Sequence, residues 1–134
     1  MKPEDLEYIG HRVSRAWETL AEAEALFNGG FTIGVVNRLY YACFYAVSAL
    51  LLAEGHSSSK HSGVMSLFDR LWIKPRRLPA EAGEFYHVLF NRRQKGDYED
   101  VLSFSKADLE AWLNQARLFI EQIAAWLEGN IRPD

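Results

Sequence analysis

Residues 31–54 read FTIGVVNRLYYACFYAVSALLLAE, and how this stretch is housed decides the fold. From Leu39 onward it is apolar on every side, the pattern of a helix contacted all round, about 36 Å long at 1.5 Å per residue. Its opening, Phe31 to Val36, has a strand-like composition, but no second segment of that kind offers it a partner, so a helix is the better assignment. Asn37 and Arg38 interrupt the run and leave about fifteen weakly polar or apolar residues, short of the ~20 that a membrane span needs. The stretch therefore reads as a core helix, and the flanking sequence has to supply the cover.

On its N-terminal side, Leu6, Ile9, Val13, Ala16, Leu20, Ala23 and Phe27 recur three and four apart while Arg12, Arg15, Glu18 and Glu22 fall elsewhere, which predicts an amphipathic helix ended by Gly29-Gly30. On its C-terminal side, Gly55 to Ser59 reads as a loop, with Ser58 or Ser59 placed to cap a short helix carrying Val64, Leu67, Phe68 and Leu71. Lys74-Pro75-Arg76-Arg77 breaks that helix. Pro79 suits the first turn of the next, with Phe85, Val88 and Leu89 facing inward and an end near Gly96. After an acidic turn from Asp97 to Asp100, Ser105 and Asp108 have the spacing of a capping box. They open a helix whose inner face is Leu109, Trp112, Leu113, Ala116, Ile120, Ile123 and Leu127. Short connections between long helices favour antiparallel neighbours. The expected fold is all-α: one domain over residues 1–134, an antiparallel up-and-down bundle of four main helices plus a short additional helix.

The chain of 134 residues, 49% apolar and 25% charged, has the balance of an ordinary globular domain. A lone cysteine, Cys43, excludes an intramolecular disulfide and a cysteine zinc site, and its apolar neighbours mark it as a buried small hydrophobe. The charged N-terminus lacks the apolar core of a secretory signal, so a cytoplasmic location and no membrane association are expected. The net charge of −3 conceals a segregation: residues 1–59 carry 4 basic and 7 acidic side chains, 60–95 carry 8 and 3, and 96–134 carry 3 and 8. Such a basic middle favours a phosphate-bearing ligand or an acidic partner.

Asn37 and Arg38 head a helix otherwise built for the core, where a charge must be paired, hydrated or turned to a cleft. By helical spacing Arg38, Tyr41 and Tyr45 share a face, so a guanidinium and two phenols can line one groove; equally, the tyrosines can be core residues with satisfied hydroxyls. On the fourth helix Arg92 continues the stripe of Phe85, Val88 and Leu89, Arg93 follows Leu89 by one turn, and Lys95 is close behind, which makes an anion site or a surface patch paired with Asp97. His11, His56, His61 and His87 are scattered without the ligands a metal site needs, so no metal and no cofactor are expected. The serines around His61 are explained by helix capping. No phosphate loop of recognised spacing occurs, and Trp17, Trp72, Trp112 and Trp126 read as packing residues.

Three segments together resemble the HEPN domain, the higher-eukaryote and prokaryote nucleotide-binding helical domain, in its small stand-alone prokaryotic branch. They are Asn37-Arg38-Leu39-Tyr40-Tyr41-Ala42-Cys43-Phe44, Lys60-His61-Ser62-Gly63-Val64 and Arg92-Arg93-Gln94-Lys95-Gly96-Asp97-Tyr98. The resemblance implies an antiparallel bundle that dimerises around a polar cleft. Many members are metal-independent ribonucleases, often toxins, using an arginine followed about four to six residues on by a histidine. Here that count reaches Asp97, and an aspartate does not replace imidazole as a proton shuttle near neutral pH unless its pKa is raised. Arg93, Asp97 and Tyr98 are where a catalytic site of this kind would lie. Other members accompany a small nucleotidyltransferase, and some bind nucleotides. The expectation is accordingly a non-catalytic homodimer that holds a nucleotide or RNA phosphate through Asn37, Arg38, Tyr41, Arg92, Arg93 and Lys95 and partners a nucleotidyltransferase in a toxin–antitoxin-like setting. The alternatives are a ribonuclease with a degenerate motif and a ligand-free interaction module.

Overall fold

The computed structural model describes residues 1–98 and 104–132, with the side chains of 95–98 excepted. Five helices follow one another: α1 (Pro3–Asn28), α2 (Ile33–Ala53), α3 (His61–Phe68), α4 (Ala80–Tyr98) and α5 (Lys106–Asn130), and no strand occurs among the described residues. α1 opens on Pro3, with Glu4 and Asp5 in its first turn, where carboxylates oppose the positive end of the helix dipole. It stops at Gly29-Gly30. Gly30 has φ +83°, a left-handed conformation in which a side chain would be strained, and the Phe31 N–H folds back onto the Leu26 carbonyl at 2.8 Å. This turn sends α2 back along α1.

α2 is the axis of the bundle, in contact with α1, α3, α4 and α5. Val35, Val36, Leu39, Tyr40, Ala42, Cys43, Ala46, Val47, Ala49, Leu50 and Leu51 are buried. It has the length and composition of a membrane span, but 61% of that window is buried inside the bundle, as in a core helix. The cover is not complete. Tyr41, Phe44, Tyr45, Ser48 and Leu52 are only half-buried, and their spacing places them on one stripe. The all-round contact expected from the sequence is therefore interrupted along a single face, and that face carries the candidate site.

α3 begins at His61 with Lys60 at its N-cap and no side-chain cap. Neither Ser58 nor Ser59 fills the capping role expected of them. Ser58 instead accepts a hydrogen bond from the Lys60 N–H at 3.2 Å and packs so close to Gly63 that a Cβ there would lie 2.1 Å from its Oγ. α3 runs on into a π-helical turn, Asp69–Ile73, which rotates Trp72 fully into the core. The Arg77 guanidinium lies between the rings of Trp72 (4.7 Å) and Trp126 (4.9 Å) and pairs with Glu54, so the end of α2, the π turn and α5 are fastened at one point. At α5, Ser105 is the N-cap and accepts from the Asp108 N–H at 3.1 Å, as its spacing predicted.

α4 departs from the expected orientation by about one residue. Ala82, Tyr86, Leu89 and Phe90 are buried, while Val88 is exposed and Phe85 half-buried. Two large aromatic side chains at i and i+4 have more apolar surface to remove from water than Val88 has, and they set the rotation. Arg93, seven residues after Tyr86, consequently faces the bundle, and Arg92 is turned to solvent.

Leu50 is completely buried in the axis helix, so Leu50→Ala should lower the unfolding free energy by about 2–5 kcal/mol in urea titrations. Ile33→Ala, at a position 82% exposed, should change it by less than about 0.5 kcal/mol.

Candidate functional site

The open stripe of α2 meets Arg93 of α4 and His61 at the first position of α3. Tyr40, on the edge of the stripe, is buried, and its hydroxyl makes a 2.9 Å hydrogen bond with His61 Nδ1. Arg93 Nη1 approaches the same Nδ1 at 3.4 Å. A guanidinium can only donate, so Nδ1 is the unprotonated, accepting nitrogen and the ring proton of the neutral imidazole sits on Nε2. Burial, reinforced by the Arg93 charge, holds the His61 pKa below its ordinary value. Burial raises that of Tyr40 against the pull of Arg93. Both groups are neutral near pH 7.

The Arg93 guanidinium carbon stands 5.1 Å from the ring centroids of both Tyr40 and Tyr41. Two such contacts stabilise it by roughly 1–2 kcal/mol each when partly desolvated, yet they leave its charge uncancelled. Its Nε is buried without a hydrogen-bond partner, and no carboxylate lies within ion-pair distance, among the described residues. Arg38 approaches the Tyr41 ring at 5.3 Å, so this one phenol is shared by two arginines. Arg38, however, is already engaged. It pairs with Glu22 at 3.2 Å and donates to Asn37 Oδ1 at 2.9 and 3.3 Å.

Of the residues the sequence singled out, Asn37, Arg38, Tyr41 and Arg93 are therefore brought together. Arg92 is not: it lies on the solvent side of α4. The side chains of Lys95, Asp97 and Tyr98 lie outside the described residues. His61 is the member that sequence reasoning missed. Its linear signals were its place at the start of a short helix and in the segment Lys60-His61-Ser62-Gly63-Val64; what brings it to Arg93 is contact with rings from elsewhere in the chain. Phe44 stacks on it (4.6 Å between centroids, 17° between planes), Tyr40 stacks at 5.7 Å, and Tyr41 meets it edge-on at 5.7 Å. Behind Tyr40 the column continues through Tyr86 to Phe119, each step 5.9 Å and 15°. Rings from three helices, α2, α4 and α5, thus fix the imidazole and the guanidinium.

The arrangement offers a planar cationic fork, a neutral imidazole whose Nε2–H has no partner among the described residues, and half-exposed aromatic rings, which together suit a phosphate attached to a flat group. It also carries a pH signature. Because the folded-state pKa of His61 is depressed, the unfolded chain binds more protons once the pH falls below about 6.5, and stability is lost from there down through the folded pKa. Thermal midpoints measured between pH 7.5 and 5 should fall more steeply for the wild type than for His61→Asn, and parallel curves would exclude the effect.

Comparison with known proteins identifies the family. The HEPN domain matches residues 10–126. A UPF0332 protein of Thermotoga maritima is 41% identical over 114 residues, 85% of this chain and 86% of the relative. A protein of Methanocaldococcus jannaschii whose name marks it provisionally as a toxin is 33% identical over 115 residues, covering 86% of this chain and 78% of its own. A second UPF0332 protein, from Gloeobacter violaceus, is 34% identical over 110 residues, 81% of this chain and 87% of the relative. All three segments that carried the resemblance fall inside the match, and the all-helical bundle agrees with it; the chain belongs to the HEPN domain family.

Proposed function

We propose that the protein is a non-catalytic HEPN homodimer that holds the phosphate of a nucleotide or of an RNA strand at Arg93, with His61, Tyr41 and Arg38 around it, and that acts in the cytoplasm beside a nucleotidyltransferase subunit. The observation that carries the binding is the state of Arg93. It is half-buried and held between two phenols, with no carboxylate beside it among the described residues. A guanidinium withdrawn from water without a counter-ion gains from an incoming anion. The phosphate would take the fork of Arg93 and the Nε2–H of His61, and a base would have the exposed surface of the aromatic stripe for stacking. The dimer, the partner and the toxin–antitoxin setting rest on family membership and on the printed name of the M. jannaschii relative.

A second reading, a metal-independent ribonuclease, is favoured by one observation, the 3.4 Å approach of Arg93 to His61. The imidazole, neutral near pH 7, would take the proton of a 2′-hydroxyl as O2′ attacks phosphorus and the bond to O5′ breaks, O5′ taking a proton from water, which leaves a 2′,3′-cyclic phosphate and a free 5′-hydroxyl. Against it, Nδ1 already receives Tyr40 and Arg93 and Nε2 carries a proton, so the resting imidazole is better arranged to donate than to accept.

Fluorescence anisotropy with labelled AMP and short single-stranded RNA, in low salt, tests the first reading. Arg93→Ala should weaken both at least about tenfold. Arg38→Ala should cost less, because its charge is already spent on Glu22. A wild type that binds neither probe, or binding unchanged in Arg93→Ala, overturns it and leaves the interaction module. Light scattering should give twice the 15.4 kDa chain mass, and a monomer at micromolar concentration would remove the dimer. For the ribonuclease, incubation with RNA should yield cyclic-phosphate ends that vanish in His61→Ala; intact RNA after prolonged incubation discards it.

A further inference from the structure

Among the described residues the half-buried arginines fall into two groups. Arg15 lies on Glu18 and Glu22, Arg38 on Glu22, Arg77 on Glu54 and Arg117 on Glu24. The two without a carboxylate in ion-pair distance are Arg93 and Arg12, and a single side chain, Phe44, adjoins both of their surroundings. On one side Phe44 stacks on His61 beside Arg93. On the other it walls a cleft of about 190 Å³ that is also lined by Arg12 of α1, Ser48 of α2, and His56, Ser57 and Ser58 of the connection to α3, over an apolar floor. Among the described residues Arg12 is otherwise engaged by the exposed ring of Tyr8, at 5.9 Å. Glu54, the carboxylate whose pKa His56 helps to depress, is itself held in the Arg77 ion pair.

We propose that this cleft is a second nucleotide subsite, so that the protein binds single-stranded RNA of at least two units across Phe44 rather than a mononucleotide. The inference rests on the assignment of a phosphate to Arg93. The cleft is smaller than the roughly 300 Å³ at which pockets for drug-sized ligands begin, so it takes one ring system and leaves the sugar and phosphate outside. Its chemistry matches a base: an aromatic wall for stacking, serine hydroxyls and an imidazole for the hydrogen-bonding edge, and at its rim a guanidinium free for the phosphate that follows. An acidic peptide would also be drawn to Arg12, but it has no use for a flat aromatic wall between two cations.

The test compares AMP with oligouridylates of two, four and eight residues, titrated by anisotropy or calorimetry at several salt concentrations into the wild type, Arg12→Ala, Arg12→Lys and Arg93→Ala. Arg12→Ala should leave AMP affinity unchanged, weaken the oligomers about three- to tenfold in low salt, and reduce the slope of log affinity against log salt by about 0.7, the share of one phosphate on a single strand. Arg12→Lys should restore the slope. Oligomer affinity and slope unchanged in Arg12→Ala, while Arg93→Ala still weakens binding, overturn the second subsite and leave the phosphate assignment standing. A wild type that binds no probe overturns both, and an Arg12→Ala loss equal for AMP and oligomers refutes the two-subsite division. Arg12 is half-buried on α1, and circular dichroism of the variants establishes that the helices are intact.

Discussion

A phenol buried in an apolar bundle has to satisfy its hydroxyl, and Tyr40 does so on His61 Nδ1. Much else depends on that contact. It pins the start of α3 against α2, fixes the proton of the neutral imidazole on the far nitrogen, and places the Tyr40 ring where Arg93 can lie against it. Tyr40 is itself held by the stack of Tyr86 and Phe119 behind it. The polar site is thus the exposed end of an aromatic column whose other end is the hydrophobic core. Displacing any ring would move both charged and neutral donors of the site together.

The rest of the molecule uses its cations differently. Arg77 fills the gap between two indoles and reaches Glu54, and Arg117 ties α5 to α1 through Glu24. In each, the carboxylate cancels the charge and the guanidinium serves as a flat, polar packing element. Arg93 has the aromatic packing without a carboxylate beside it among the described residues. That difference, more than the basic composition of residues 60–95, sets Arg93 apart from the arginines that hold the bundle together.

The connections explain why the site stays open. α2 is covered by α1, α4 and α5, but α3 is only two turns long before the π turn rolls Trp72 inward. A short helix covers little of a long one. Among the described residues Tyr41, Phe44, Tyr45 and Ser48 are left half-covered. Gly63 allows Ser58 to pack against the first turn of α3, which keeps the connection low and His61 at the edge of the stripe.

The sequence by itself determined the helices, their order, the apolar axis, the Ser105 cap, the buried Cys43 and the family, because each is written in local periodicity, turn chemistry or a contiguous motif. It also marked Asn37, Arg38, Tyr41 and Arg93, since a charge or a phenol on a core helix is conspicuous along the chain. Only the tertiary structure decided which arginine of the pair at 92 and 93 turns inward. That choice depends on Tyr86 and Phe90 outcompeting Val88 for the core, a comparison of buried areas that spacing cannot make. His61 was hidden for the same kind of reason. The segment Lys60-His61-Ser62-Gly63-Val64 pointed to the family, but the place of His61 beside Arg93 comes from rings and a guanidinium brought together from α2 and α4 by the packing of the bundle.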